Sequence, residues 1–400
     1  VTTTGPITQT VAMNLSAGTA SFNAGTTGNV TLNMANDFGV VRIVQGNNVQ
    51  LTDVDGFSFG GGASTVSGNL TVVANGAVGQ SSSLSVATAG RVAAFNIGAA
   101  NDLTLTNVSN DFANVSIVSA NNANLRDGTT GIDLAGVSVA NNLTVVSTGA
   151  GAITGSGNVV VPGRLTVETN TAAAQNITLT QAGNNFGSVS ARTMNAGGTA
   201  PLAGTITLRE NSAMDVALLT TTGSANLTAA GAITDSGTLT VGATLTANVG
   251  AANNVVLDTG TNNFGTVAIT AANQVTLVDA NAMNVGAGTV SGNLTVSANG
   301  AVGFSGALSA GNLSVATGNG SVTQSAALTV PGTANFQAGT GNVTLATATN
   351  NFGTVTIASA GNATIADTGG IVLSGVSVGN NLTVTTTGPI TQTVAMNLSA

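Results

Sequence analysis

The sequence lacks cysteine, histidine, tryptophan and tyrosine, and its six basic residues are all arginine. Without cysteine or histidine, the chain can build neither the usual zinc sites nor a serine–histidine catalytic triad. The absence of disulfides leaves the redox compartment open. We therefore predict no catalytic residue, no metal site and no cofactor, and the chain is not expected to be an enzyme.

Charge is also scarce, at 5% of residues, against about 25% in a typical soluble domain. The net charge of −8 argues against nucleic acid as a partner, because phosphate binding needs clustered lysine and arginine. No uninterrupted apolar run approaches the roughly 20 residues of a membrane span, so no transmembrane segment is expected. Yet 42% of residues are hydrophobic and the mean hydropathy is +0.39, which excludes a disordered chain.

Internal repeats are plain in this sequence. A motif of asparagine, then asparagine or aspartate, then phenylalanine recurs five times, and the phenylalanine positions differ by 74, 74, 78 and 88. The landmarks are Asn36, Asn110, Asn184, Asn262 and Asn350, with Phe38, Phe112, Phe186, Phe264 and Phe352. The segment VTTTGPITQTVAMNLSA stands at both 1–17 and 384–400, and this offset of 383 leaves a fifth spacing of 69. We interpret residues 1–400 as one continuous array of five imperfect units within a long period of that length.

The local pattern predicts β-structure throughout. Short β-branched runs alternate apolar with small polar residues, and glycine and asparagine separate them, which is typical of strands. Similar strands begin at Val30, at Val49 and at Leu70. The sequence therefore predicts an all-β parallel β-helix (β-solenoid) of about 20 rungs, with three short strands in each rung of about 19–20 residues.

The corners of the rungs have predicted roles too. We expect each motif phenylalanine to fill the core at a corner, and asparagines on successive rungs to form amide ladders. An acid follows the third strand of each unit, at Asp53, Asp127, Glu210, Asp279 and Asp367. A corner Asx-turn or a surface charge is favoured there over a metal or sugar ligand, because the copies lie several rungs apart. Asp53 and Asp55 form the best carboxylate pair, as glycoside hydrolysis needs, but the sister units lack the second acid.

The GNLTV, NVTL and N-[ND]-F-G units, the short rung and the composition without lysine and cysteine resemble the repetitive shaft of filamentous-haemagglutinin-type exoproteins. These are large bacterial surface proteins, usually exported by two-partner secretion, and autotransporter passengers share the same composition. The resemblance implies a right-handed β-helical shaft on the cell surface. The sequence has no NPNL-like secretion motif and no RGD triplet, so the resemblance transfers no functional residue.

Several functions are compatible with these features. The leading hypothesis is a structural extracellular filament on the bacterial cell surface, whose partner is itself, through end-to-end continuation and lateral bundling. The alternative is a cell-surface adhesin that binds surface glycans or a host surface. Less favoured are a polysaccharide-cleaving β-helix enzyme and an ice-binding protein, suggested by threonine pairs such as Thr104 and Thr106.

The repeated segment at 1–17 and 384–400 carries expectations of its own. We expect Val1 not to be a native translation start, and residue 401 onward to read close to GTASFNAGTTGNV. The two copies are expected to share one backbone conformation. They should form part of an ordinary rung and carry no binding site.

Overall fold

The computed structural model describes residues 1–399, and all forty of its regular elements are β-strands. Among these residues no helix occurs, so none is long and apolar enough to cross a membrane. The chain divides into two compact units, Val1–Asn211 and Ser212–Ala400. Each unit is a parallel β-solenoid, which confirms the predicted fold class.

The first unit contains 21 strands. They are β1 (Ile7–Thr8), β2 (Asn14–Asn23), β3 (Val30–Gln45), β4 (Val49–Asp53), β5 (Phe57–Phe59), β6 (Ser64–Thr65), β7 (Leu70–Ala74), β8 (Val78–Gln80), β9 (Leu84–Val86), β10 (Val92–Asn96), β11 (Leu103–Leu105), β12 (Asp111–Phe112), β13 (Asn114–Ala120), β14 (Ala123–Asp127), β15 (Ile132–Val139), β16 (Leu143–Ser147), β17 (Ile153–Thr154), β18 (Val159–Thr171), β19 (Ile177–Leu179), β20 (Asn185–Asn195) and β21 (Ile206–Glu210).

The second unit contains the other 19 strands. They are β22 (Met214–Thr221), β23 (Ala225–Ala229), β24 (Ile233–Asp235), β25 (Leu239–Asn248), β26 (Val255–Leu257), β27 (Asn263–Ala272), β28 (Val275–Asp279), β29 (Met283–Ala298), β30 (Val302–Phe304), β31 (Leu308–Thr317), β32 (Val322–Gln324), β33 (Leu328–Gln337), β34 (Val343–Leu345), β35 (Asn351–Ala360), β36 (Ala363–Asp367), β37 (Ile371–Val378), β38 (Leu382–Thr386), β39 (Ile390–Gln392) and β40 (Asn397–Leu398).

Parallel pairing stacks each coil on the one before it, and ten coils can be followed in each unit. In the first unit one stack joins Ile7, Val30, Val49, Leu70, Ala93, Val115, residues 132–134, Ile153, Ile177 and Ile206. In the second unit the corresponding stack joins Met214, Ile233, Val255, Val275, Leu294, Leu313, Ala334, Val355, Leu373 and Gln392. Alternation along each strand places these positions inside, except in the exposed last coil.

The three strands of a coil are clearest between residues 49 and 92. Strands β4, β5 and β6 make one coil, and β7, β8 and β9 make the next. Val49 pairs with Leu70, Phe57 with Val78, and Ser64 with Leu84. Elsewhere neighbouring strands merge, as in the 16-residue strands β3 and β29. The prediction of three short strands in each coil is therefore confirmed, although some of them are continuous.

Coil length varies more than the sequence pattern predicted. In a short coil Val267 pairs with Val285, whereas in a much longer one Ile177 pairs with Ile206. The long coil contains a small hairpin, in which the Asn195 amide donates to the Ala200 carbonyl at 2.8 Å. The prediction of a uniform rung is wrong here, because residues added at a corner do not disturb the paired strands on either side.

Candidate functional site: the asparagine–phenylalanine–acid clusters

The five motif phenylalanines lie in the core, each no more than 3% exposed. In every copy the backbone N–H of the phenylalanine donates to the acid that follows the third strand. The pairs are Phe38 to Asp53 at 2.8 Å, Phe112 to Asp127 at 2.7 Å, Phe186 to Glu210 at 2.9 Å, Phe264 to Asp279 at 2.6 Å and Phe352 to Asp367 at 2.6 Å. Each of these groups, together with the motif asparagine, is called an asparagine–phenylalanine–acid cluster.

The acids of the clusters are buried, with exposed fractions of 3% or less. The interpretation as surface charges is therefore wrong. The Asx-turn interpretation is confirmed at several copies: Asp53 Oδ1 accepts from the Asp55 N–H at 3.2 Å, and Asp367 Oδ1 accepts from the Gly369 N–H at 2.7 Å. One carboxylate oxygen thus closes the turn on its own coil, while the other holds the phenylalanine of the coil before.

The asparagine of each cluster is fully buried and binds neighbouring coils on both sides. Asn350 Oδ1 accepts from the Leu328 N–H at 2.9 Å, on the preceding coil. Its Nδ2 donates to the Leu345 carbonyl at 3.2 Å and to the Ala366 carbonyl at 3.1 Å, on the following coil. Buried backbone groups that would otherwise lack partners are satisfied in this way. The asparagine therefore acts as a clamp across three successive coils.

A glutamine from the preceding coil completes the cluster in three copies, and sequence reasoning missed it. Gln324 and Asn350 exchange two amide hydrogen bonds, at 2.7 and 2.9 Å. Gln80 does the same with Asn110, at 2.8 Å in both directions. The available signal was the ITQ, VGQ or VTQ tripeptide. Because it lies 26 to 30 residues before its asparagine, the spacing alone did not reveal the pair.

The other two copies depart from this pattern. Asp235 replaces the glutamine in one copy and accepts from Asn262 Nδ2 at 2.6 Å. Gly155 stands at that position in the other copy, where the buried Nδ2 of Asn184 has no hydrogen-bond partner among residues 1–399. Asn184 keeps only the part of the clamp that faces backward, through the Val159 N–H at 2.9 Å. This cluster is the least satisfied of the five.

Replacing Gly155 by glutamine is expected to raise the free energy of unfolding of this region by about 1 kcal/mol, because the amide supplies the missing partner of Asn184. A new Cβ would lie 3.0 Å from Leu179 Cδ2, the end of a flexible side chain. Gln80 occupies the equivalent point of its own coil, since Val78 pairs with Leu103 as Ile153 pairs with Ile177. Gly155→Ala is the matched control for the loss of glycine alone. Chemical denaturation that finds the two variants equally stable would contradict this expectation.

The predicted asparagine ladders run along the corners. Asp102 Oδ1 accepts from the Asn122 N–H at 3.1 Å, Asn122 Oδ1 from the Asn142 N–H at 3.2 Å, and Asn142 Oδ1 from the Arg164 N–H at 2.8 Å. Each side chain thus closes the start of the next strand above it. The Asn122 and Asn121 amides stabilise the charged carboxylate and lower the pKa of Asp102, where the ladder begins.

Burial has the opposite effect on the cluster acids. Desolvation raises the pKa of Asp53 to about 6, and it outweighs the hydrogen bond from Phe38; the neighbouring Asp55 raises it further. Desolvation likewise raises the pKa values of Asp127 and Asp279. Perturbed carboxylates often mark catalytic sites, but Asp53 is only 2% exposed and both its oxygens accept from backbone N–H groups. Its geometry is that of a structural acid.

The remaining candidate sites are on the surface. Among residues 1–399, no group of three or more acidic side chains is placed to hold a metal ion. Thr104 lies beside Asn124 of the next coil, so the threonine pair proposed for ice binding is not repeated there. Two open grooves run beside asparagine ladders: one is lined by Asn29, Thr31, Asn48, Gln50 and Asn69, and the other by Asn293, Thr295, Asn312 and Ser314.

Comparison with known families identifies a repeat family. The chain matches the model described as repeats of unknown function (DUF5649) over residues 1–45, 46–119, 120–193, 203–271, 272–311, 305–359 and 360–400. The chain therefore belongs to this family. The offset between the matches that start at 46 and at 120 equals the spacing of Phe38, Phe112 and Phe186. Neither the curated proteins nor the solved structures gave a match.

Proposed function

We propose that the chain is a structural shaft protein, a stretch of an extracellular filament on the bacterial cell surface. The observation that carries this proposal is the use to which buried polar groups are put. In all five clusters the acid joins one coil to the phenylalanine of another, and the asparagine clamps its neighbours. The most elaborate polar chemistry of the chain serves the joining of coil to coil.

A shaft also needs a unit that can be repeated without limit. Stacked coils supply it, because each coil buries its apolar face only against its neighbours. The scarcity of charge fits as well, since threonine, serine and asparagine cover the outside with hydroxyl and amide groups. Placement outside the cell rests on the resemblance to filamentous-haemagglutinin-type exoproteins and belongs to the proposal.

The length of the particle provides the test. A chain with two tandem copies of residues 1–383 is expected to be longer than a chain with one copy by roughly 90 Å, from about 19 coils at ~4.8 Å each. Electron microscopy of both chains measures the difference, and their widths should be equal. Compact particles, or a length that does not grow, would exclude a shaft. Immunogold labelling of intact producing cells tests the location separately.

Glycan binding is the second candidate, and the groove beside Asn29, Asn48 and Asn69 favours it. Thr31 and Thr71 present hydroxyl groups there, which could hydrogen-bond to a sugar chain. If the groove is an adhesion site, the purified chain should bind to a glycan array and the Thr31→Val, Thr71→Val double variant should not. Thr344→Val and Thr364→Val, on another stack, form the matched control pair.

A further inference from the structure

The segment VTTTGPITQTVAMNLSA is seen twice, each time with a different neighbour. At 1–17 it pairs with the coil that follows: Ile7 with Val30, and Leu15 with Phe38. At 384–399 the same residues pair with the coil that precedes: Ile390 with Ile371, and Leu398 with Val378. The two copies together therefore show both neighbours of one coil.

The backbone follows the same course in both copies. Strands lie at 7–8 and 390–391, the chain bends at 4–5 and 387–388 and again at 10–11 and 393–394, and strands resume at 14 and 397. A side-chain bond recurs as well: the Gly5 N–H donates to Thr3 Oγ1 at 3.2 Å, and the Gly388 N–H to Thr386 Oγ1 at 3.0 Å. Since neither neighbour changes this conformation, a coil of this sequence can hold both at once.

The second copy leaves its forward contacts open. Ile390 and Leu398 are each 50% exposed, whereas Ile7, paired with Val30, is 6% exposed. Gln9 exchanges hydrogen bonds with Asn36 at 2.7 and 3.0 Å and thereby completes a cluster. Its equivalent, Gln392, is exposed. What fits against residues 384–399 is a coil with the sequence of residues 18–45.

We propose that the partner is a second copy of this chain, bound by exchange of a coil. Residues 384–399 of one molecule take the place of residues 1–17 on the 18–45 coil of the next, with Ile390 over Val30 and Gln392 on Asn36. The exchange conserves contacts, because the incoming and the displaced residues are identical. Within residues 1–17 only Ile7 is buried, so displacement breaks few contacts. The proposal deepens the proposed shaft function and gives the joint a defined register.

Engineered disulfides test the register in the full-length chain, which has no cysteine of its own. Thr8 pairs with Thr31, so exchange places Thr391 beside Thr31 of the next molecule, within disulfide range. The Thr31→Cys, Thr391→Cys variant is expected to form a ladder of oligomers in 38.3 kDa steps under oxidation. Thr71→Cys with Thr391→Cys is the control, since Thr71 lies two coils beyond Thr31 and should not cross-link.

A matched pair of substitutions separates exchange from simple end-to-end stacking. In the Thr31→Cys, Thr391→Cys variant, Ile7→Asn should loosen the displaced segment and raise cross-linking roughly tenfold, while Ile390→Asn should lower it by a similar factor. Cross-linking of Thr391→Cys to Thr8→Cys instead, with Ile7→Asn lowering it, would overturn the proposal in favour of stacking. Absence of any ladder would also overturn it, but the length measurements on tandem copies would still decide the shaft function.

Discussion

Replacing Asn350 by alanine is expected to cost about 3–5 kcal/mol of local stability. The substitution leaves the Leu328 N–H and the Leu345 and Ala366 carbonyls without their partner, all in the interior of the second unit. Gln324 loses both its amide bonds at the same time. Hydrogen exchange at Leu328 and Phe352 measures the effect directly, because a solenoid opens locally rather than in one cooperative step.

Asn184→Ala is the matched control within the same chain. Asn184 occupies the same place in its cluster, but its Nδ2 has no partner among residues 1–399 and its Oδ1 accepts from Val159. Its loss should cost only about 1–2 kcal/mol. Equal losses at the two positions would mean that burial of the amide, rather than its hydrogen bonds, holds the coils together.

Acidification from pH 7 to about pH 4 is expected to stabilise the coils around Asp53 by on the order of 2–3 kcal/mol. The pKa of Asp53 in the folded chain is about 6, above its ordinary value of 3.8. Between these values the folded state binds a proton that the unfolded state does not, so stability falls as the pH rises through this window. The raised pKa values of Asp127 and Asp279 act in the same direction.

Two variants assign this pH dependence. Asp53→Asn keeps an oxygen for the Phe38 N–H, which now lies 2.8 Å from the carboxylate, and should remove much of the slope between about pH 4 and 6. Asp55→Asn removes the neighbouring charge and should move the window to lower pH. Denaturant midpoints measured across the range provide the comparison. A slope unchanged in Asp53→Asn would show that this acid is not the titrating group.

The coil itself was predictable because its cause is written locally. Alternating runs around Val30, Val49 and Leu70 reappear at a nearly constant interval, and pairing of these residues follows. The burial of Phe38 follows from its size and from the glycine after it. Strand pattern and return distance are both properties of neighbouring residues, so sequence alone was sufficient for them.

The clusters depend on contacts between coils, which the local pattern does not record. Asp53, interpreted as a turn or surface charge, is buried under Phe38 of the coil before. A signal was present, because four of the five acids follow their phenylalanine by 15 residues. Glu210 follows Phe186 by 24 residues, because the hairpin at residues 195–200 intervenes. An insertion at a corner thus hid a contact that is constant in space.

That hairpin has a consequence for how such a chain can be altered. Ile177 still pairs with Ile206 across it, so the corner accepts added residues while both adjoining strands keep their register. Foreign peptides grafted between Asn195 and Ala200 should therefore be displayed outside the coil without unfolding it. The same freedom would let a lineage decorate one point of a repeated scaffold, where insertions cost little loop entropy, and leave every other copy unchanged.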